Sequence, residues 1–463
     1  MEIVQALADH DVRTARRYFR VHGRPDLSKI PGDRGLPILG HAPAILRDVH
    51  AFMNRQHARY GDVFKVHGPR ADGVFLLGPQ ANELLLKNEE KFFSNFLAWD
   101  LTFANIFDNN VLERDFSGHK RHRKILQSAF KRPSIEGHIE IMDPLIQQGL
   151  GRITPGKTLK MLPFIKGFLL RVGASVFLGE NVEAEADRLN KAFVDCVAAT
   201  ADPFKINIPF TPFRRGVAGR KVLRDYVFGN IERKRNAEGR DLFTELCHLT
   251  DDEDGCGFTD EEISDHITFL LFAAHDTTTS ALCSVLFALA DHSEWQDRLV
   301  AEVDRIGIDT LNLDALDKMT DTTAVIQEAL RLFPPLAMMP RYALREFEFG
   351  GHTIPANTAC VISPLFTHYM EAYWSHPGQF DPERFKPERA EDKKHFFQYV
   401  PFGGGAHKCL GLHFAQVQGK IFLYHFFRRY RVRKTPGQRF KYNNIPLTFP
   451  TNGLPLTVEA RAI

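Results

Sequence analysis

FFQYVPFGGGAHKCLGLH, residues 396–413, is the stretch whose reading decides the fold. Phe402, Gly403, Gly405, Cys409 and Gly411 have the spacing FGxGxxxCxG. Glycines let backbone lie against a bulky flat object, because no Cβ holds it away. From Leu412 the pattern reads as helix, so Cys409 sits where a loop meets a helix N-terminus. Free N–H groups and the helix dipole favour a thiolate at that place. A thiolate in apolar surroundings beside Phe402 suits a haem iron, which takes it as a strong electron-donating ligand. For one cysteine alone, a buried free thiol beside a loop is the other reading.

The segment resembles the haem-binding loop of the cytochrome P-450 superfamily, with Cys409 as axial ligand. The resemblance implies a mainly α fold with a small β region. Haem b (iron protoporphyrin IX) would lie between a long central helix and the cysteine-bearing loop and helix. EEISDHITFLLFAAHDTTTSALCSVLFALA (261–290) is apolar almost all round, as a buried central helix must be. Asp276, Thr277 and Thr278 are costly there unless they have a role. A Thr hydroxyl bonding back to a carbonyl four residues earlier bends such a helix. AAHDTT resembles the family's oxygen-binding signature. Thr277 would then hydrogen-bond dioxygen at the haem, and Asp276 would feed protons from solvent. Ala274 stands where a glycine is usual; its methyl narrows the dioxygen groove. His275 reads as a satisfied structural histidine rather than a member of the proton route. In IQEALRLFPP (326–335), Glu328 and Arg331 share a helix face and Pro334-Pro335 stops the helix. This matches the family's ExxR, and FDPERF (380–385) supplies Arg384. Such a network fixes geometry, here for folding and haem loading.

In SGHKRHRKILQSAF (117–130), Ser117 is a plausible N-cap, and His119 and Arg123 share one face. The resemblance sends both to the haem propionates, with Arg341 and His407 as further donors. It also sets Phe402, Gly403 and Gly411 against the haem. Lys120, Arg121 and Lys124 form a basic patch that suits an acidic ferredoxin or flavodoxin, or is simply a solvated face. Substrate-lining candidates are Phe96, Trp99 and Phe103 from the aromatic stretch 92–107, and Phe210 from 201–213. Ala273, Ala274, Leu336, Met338, Met339 and Leu447 complete the set. Pro203, Pro209 and Pro212 keep 201–213 from being helical; the resemblance makes it the mobile roof of a substrate channel. The candidates are apolar, so fatty acids, terpenoids, steroids and retinoid-like molecules all fit. IPLTFPTNGLPL (445–456) resembles a C-terminal turn closing the pocket.

The chain has 463 residues, 44% hydrophobic and 25% charged, with net charge +2, which is ordinary globular composition and gives no reason to expect a nucleic-acid partner. The motifs of one site run from the first third to the end. The expectation is therefore one domain over 1–463, with a helical extension at 1–30 and a Pro/Gly-rich segment at 31–41. Helical periodicity over 2–22, with Arg13, Arg16, Arg17 and Arg20 beside Leu7, Tyr18 and Phe19, favours a solvated helix over a membrane-surface one. Short strands are expected at 62–66 and 74–77 around the turn HGPRADG, and through 336–363 with turns at Gly350-Gly351 and Pro355. Long helices fill 135–250, and DDEDGCG (251–257) is an acidic turn. Cys196, Cys247, Cys256, Cys283, Cys360 and Cys409 show no paired or zinc-like spacing. That suggests reduced thiols and a cytoplasmic location. No run approaches the roughly 18 apolar residues of a membrane span, and peripheral membrane contact stays open. The implied reaction puts one oxygen atom of dioxygen into a C–H bond, or a double bond, and reduces the other to water. No flavin, iron–sulfur or dinucleotide motif is present, so both electrons would come from separate proteins. A peroxygenase or isomerase, and a haem-thiolate sensor, are the other readings; the Asp276-Thr277 pair argues against the first.

Overall fold

The computed structural model describes residues 2–21, 24–69, 71–179, 183–202, 205–251, 255–435, 437–438 and 440–461. Arg70, Pro203 and the Asp252, Glu253 and Asp254 of the acidic turn lie outside the described residues, as do the side chains of Phe19 and Arg20.

The central helix, Asp260–Leu289, organises the rest. A capping box starts it: Thr259 Oγ1 accepts from the Glu262 N–H (3.2 Å), and the Glu262 carboxylate accepts from the Thr259 N–H (3.0 Å). Ile263, Ile267, Leu282 and Leu286 are at most 1% exposed. Helices Met161–Gly173, Pro212–Arg235, Thr320–Leu332 and Leu412–Phe427 all pack against it. Both Met161–Leu178 and Asp260–Leu289 reach the length and hydropathy of a membrane span, which the sequence reading did not expect. The central helix keeps Asp265, His275 and Asp276 buried inside the protein, as a core helix does.

Val63–His67 and Asp72–Leu76 pair antiparallel, as the two apolar runs predict. They edge a five-stranded sheet continued by Ala359–Ile362, Met339–Ala343 and Phe93–Ser94. Phe347–Phe349 and His352–Ile354 form a hairpin turned by Gly350 and Gly351, whose φ of +59° and +77° favour glycine. Lys157–Lys160, expected as part of a helical region, is instead a strand. It pairs with Pro455–Ala460, which also pairs with Tyr430–Lys434. The chain's last strand supplies its partner, and no local pattern announces that.

Two further expectations change. Ser117 is not a cap: the helix Phe116–Ser128 begins one residue before it, with Asp115 in the cap position. Asp115 instead accepts from the N–H groups of Asn95 (2.8 Å) and Phe96 (3.4 Å), so it caps the neighbouring helix Phe96–Phe103. The N-terminal stretch is not one solvated helix. It is a hairpin of Glu2–Ala8 and Val12–Val21. Leu7 and Ala15 are buried with Phe96, Leu97, Tyr342 and Leu344.

Candidate functional site

The cysteine loop is shaped by its glycines. Gly403 and Gly405 have φ of +66° and +61°, and a Cβ at 405 would collide with the Leu86 carbonyl. The Cys409 N–H donates to the Phe402 carbonyl (2.9 Å). Cys409 is exposed by surface area yet ringed by protein, so it faces an internal space. A Cβ at Gly411 would meet nothing within 4 Å. Burial pushes the Cys409 thiol up, and the Gly411 N–H, Arg123 and Lys408 only partly oppose it. Burial thus works against the thiolate expected at this helix N-terminus, and the positive charge of a metal held there would favour it.

Four residues from distant segments meet beside this space. The His119 and His407 rings are 3.8 Å apart, and Asn95 Nδ2 donates to His407 Nδ1 (3.0 Å). Burial, then Arg123, His122 and Arg341, pushes His119 down to about 3. Burial and the same cationic surroundings push His407 down as well. Arg341, 6% exposed, is pushed down to about 10 by burial, opposed by Asp115. Its guanidinium donates to the Pro340 carbonyl (2.8 Å). Among the described residues no carboxylate lies in ion-pair range of Arg123 or Arg341. Arg341 is buried and Arg123 half-buried, neither in contact with a carboxylate, so this edge of the space calls for anions. A flat group with a metal at its centre and two carboxylates on one edge fits, and haem b is such a group.

On the central helix, Thr277 Oγ1 donates to the Ala273 carbonyl (2.6 Å), the back-bond its position predicts. Asp276 Oδ1 lies 2.8 Å from Lys166 Nζ and 3.0 Å from His275 Nδ1. His275 Nε2 donates to the Lys166 carbonyl (2.9 Å). Burial raises the Asp276 carboxyl, but His275 and Lys166 more than offset it and hold it below the usual range. Lys166 was not legible as a site residue; being half-exposed, it links Asp276 to the surface. Ala274 borders a small cavity with Gly173, Phe177, His275, Phe414 and Gln418.

Glu328, Arg331 and Arg384 form the expected set. Arg331 grips Glu328 with two bonds (2.6 and 2.7 Å), and Arg384 Nε is 3.3 Å away. Glu391 joins as an unforeseen fourth member, 2.9 Å from Arg384. His368 carries this geometry onward: Nδ1 donates to the Arg331 carbonyl (3.0 Å), and Nε2 accepts from Val400 N–H (3.1 Å), two residues before Phe402.

The pocket candidates divide. Phe103 packs edge-on against Phe269 and Phe272 of the central helix, each 5.7 Å away, and stacks on Trp99 at 5.5 Å. Leu336 and Met339 pack beside Phe397 and Val400 of the cysteine-loop approach. Leu447 is half-buried in a turn whose Thr448 carbonyl accepts from Ser280 (2.6 Å) on the central helix. Ala273 and Ala274 lie half-buried on the central helix. Three candidates are corrected. Phe96 faces Leu7 and Ala15 of the N-terminal hairpin. Met338 turns to the cluster of Phe52 and Phe366. Phe210 is 95% exposed. In the basic patch, Lys120 is exposed while Lys124 pairs with Asp251 (2.8 Å).

The cytochrome P450 family model matches residues 30–458. A Mycobacterium tuberculosis protein described as cytochrome P450 136 is 32% identical over 443 residues, covering 94% of this chain and 89% of that one. A taxane 13-alpha-hydroxylase of Taxus cuspidata is 27% identical, covering 96% and 95%. The structure of retinoic acid-bound cyanobacterial CYP120A1 superposes with a TM-score of 0.86 at 28% identity, covering 93% of this chain and 99% of that one. The chain belongs to the cytochrome P450 family and is a haem b monooxygenase of it.

Proposed function

We propose that this enzyme hydroxylates, or epoxidises, a lipophilic isoprenoid-type small molecule. The observation that carries this reading is the aromatic wall of Trp99, Phe103, Phe107, Phe269 and Phe272, which contains no charged side chain. Trp99 Nε1 is buried there without a partner among the described residues, so the wall offers one donor to a substrate oxygen. A taxane hydroxylase and a retinoic acid-bound protein among the relatives agree with that chemistry.

Cys409 is the ligand in this reading, and His119, Arg123, Arg341 and His407 hold the propionate edge, with Phe402, Gly403 and Gly411 lining the haem. Bound haem supplies dioxygen activation, helped by electron push from the thiolate. Thr277 offers its hydroxyl on the central helix, where it bonds back to the Ala273 carbonyl. Asp276 holds a proton-transferring carboxyl beside it, and Lys166 connects that carboxyl to water. Electrons come from a ferredoxin or flavodoxin with its reductase, and the protein works in the cytoplasm as one haem domain over 1–463.

The test is turnover of retinoic acid and a taxadiene-type hydrocarbon with a ferredoxin, its reductase and NADPH, read as a mass gain of one oxygen. Spectral shifts with these compounds and product formation are expected. Shifts given by fatty acids alone would overturn the substrate class.

A further inference from the structure

We propose that the N-terminal hairpin is a strap that positions the aromatic pocket wall, and that Arg16, Asp108 and Arg220 form a latch controlling substrate admission. The inference rests on the pocket assignment above. The hairpin, residues 2–21, precedes residue 30, where the family match begins. It is nevertheless seated closely. Its first helix ends against the helix that carries His119 and Arg123: a Cβ on Gly118 would lie 2.6 Å from the Ala8 carbonyl oxygen. Only glycine admits that approach. Leu7 and Ala15 bury against Phe96 and Leu97, one face of the helix Phe96–Phe103. Trp99 and Phe103, on the same helix, pack in the main core with Phe269 and Phe272, the wall assigned to the pocket above.

Ion pairs complete the strap. Arg16 Nε is 3.0 Å from both Asp100 oxygens and its Nη2 is 2.6 Å from one, with Asp108 at 3.6 Å. Arg220, on the helix Pro212–Arg235, is 2.6 Å from Asp108 and 3.6 Å from Asp265 of the central helix. Arg224 is 3.0 Å from Asp265. His10 meets Asn109 (3.1 Å), which donates to Asp265 (3.3 Å). Lys205 donates to the Thr102 carbonyl (2.8 Å) at the other end of the aromatic helix. Segments far apart in sequence thus meet around residues 100–109.

The rings of Phe103, Phe107, Phe269 and Phe272 interlock at 4.6–6.4 Å, which closes the gap between the 96–108 segment and the central helix. Admission past this wall requires the 96–108 segment to part from the helices carrying Arg220 and Asp265. The Arg16, Asp100, Asp108 and Arg220 side chains are 16–35% exposed, so water and salt reach the pairs and they can open and re-form. Glu113, 1% exposed, lies close by; burial, Asp108 and Asp100 raise its carboxyl, and Arg16 and Arg220 oppose them. Removing Arg16 would leave Asp100 and Asp108 without the charge between them, which loosens the segment.

The test is stopped-flow binding of clotrimazole, a bulky neutral azole, and of imidazole to the haem-loaded protein, read by the haem absorbance shift. Wild-type clotrimazole association should accelerate with salt, while imidazole, which is small, responds little. Arg16→Gln and Asp108→Asn should admit clotrimazole about fivefold faster at low salt and lose the salt dependence. Arg16→Lys, which keeps a positive charge facing Asp100 and Asp108, should retain slow, salt-dependent association. Amide exchange should rise over residues 96–108 in Arg16→Gln and Asp108→Asn. Wild-type rates in both of these variants, or a wild-type rate indifferent to salt, would overturn the latch; the second arm needs no variant to fold. Absence of any azole shift in wild type would instead sink the haem-site reading.

Discussion

On the cysteine side of the molecule, Glu328, Arg331 and Arg384 are 0–1% exposed; on the N-terminal side, Arg16, Asp100, Asp108 and Arg220 are 16–35% exposed. Both are carboxylate–guanidinium networks joining distant segments, but they do different physical work. In the dry one, Arg331 also donates to the carbonyls of His368, Pro377 and Gln379, so no donor has another place to go. Burial pushes the Glu328 carboxyl up even against Arg331 and Arg384. Its charge is thus no net source of stability; the network specifies one geometry and passes it through His368 to the cysteine loop. In the wet one, each group can exchange its partner for water, which suits a closure that must open.

The largest effect expected is from breaking the dry network on one side. Glu328→Ala, which leaves Arg331 buried without a carboxylate, or Arg331→Ala, which leaves Glu328 with Arg384 alone, should cost about 3–5 kcal/mol, read as loss of haem-loaded protein and of a cooperative denaturant transition. Glu328→Met with Arg331→Met should cost less than either single change; if it costs more, the charges themselves stabilise the fold. Next comes the pair of intermediate burial. Asp276→Asn should lower turnover about a hundredfold while leaving substrate spectral shifts unchanged. Lys166→Met should lower it less, because Asp276 keeps His275. Smaller again is Glu391, at the rim of the dry network. Burial raises its carboxyl, but Arg389, Ser375 and Arg384 hold it down to about 2 from 4.5. A depressed carboxyl stabilises fully above 4.5 and loses that contribution as pH falls toward 2. Thermal melts of Glu391→Gln and wild type should therefore differ at pH 6 and converge between pH 4.5 and 2.

What the sequence shows of this molecule follows the range of each signal. Thr277, Glu328 and Arg331 are legible because each acts with a neighbour three or four residues away on one helix, while Asp276 is legible only through the resemblance that AAHDTT carries. Lys166 and Glu391 are not, because their partners come from segments more than sixty residues off or from the far side of an irregular loop. An aromatic pattern tells that Phe96 and Met338 are interior, but not into which cluster they turn. Phe210 shows the same limit from the other side: its apolar neighbours Ile206 and Ile208 are also exposed. A basic face on residues 2–22 reads as solvated, since nothing local reveals that Asp100 and Asp108 wait for Arg16.

Arg16→Gln bears most directly on the contrast between the two networks, and its effect on stability should be the smallest. Partly exposed pairs contribute about 1 kcal/mol or less, even with bidentate geometry, because water competes for both partners. The loss should shrink further in 1 M salt, where the screening length falls to about 3 Å, close to the length of the pairs themselves. Denaturant titrations of wild type and variant at low and high salt measure both quantities. A salt-insensitive loss of 3 kcal/mol or more would make the strap a fixed part of the core, and the two networks would then be of one kind. A small, salt-screened loss alongside faster azole binding would separate the roles: the same guanidinium would hold a pocket wall in place while adding little to the free energy of folding.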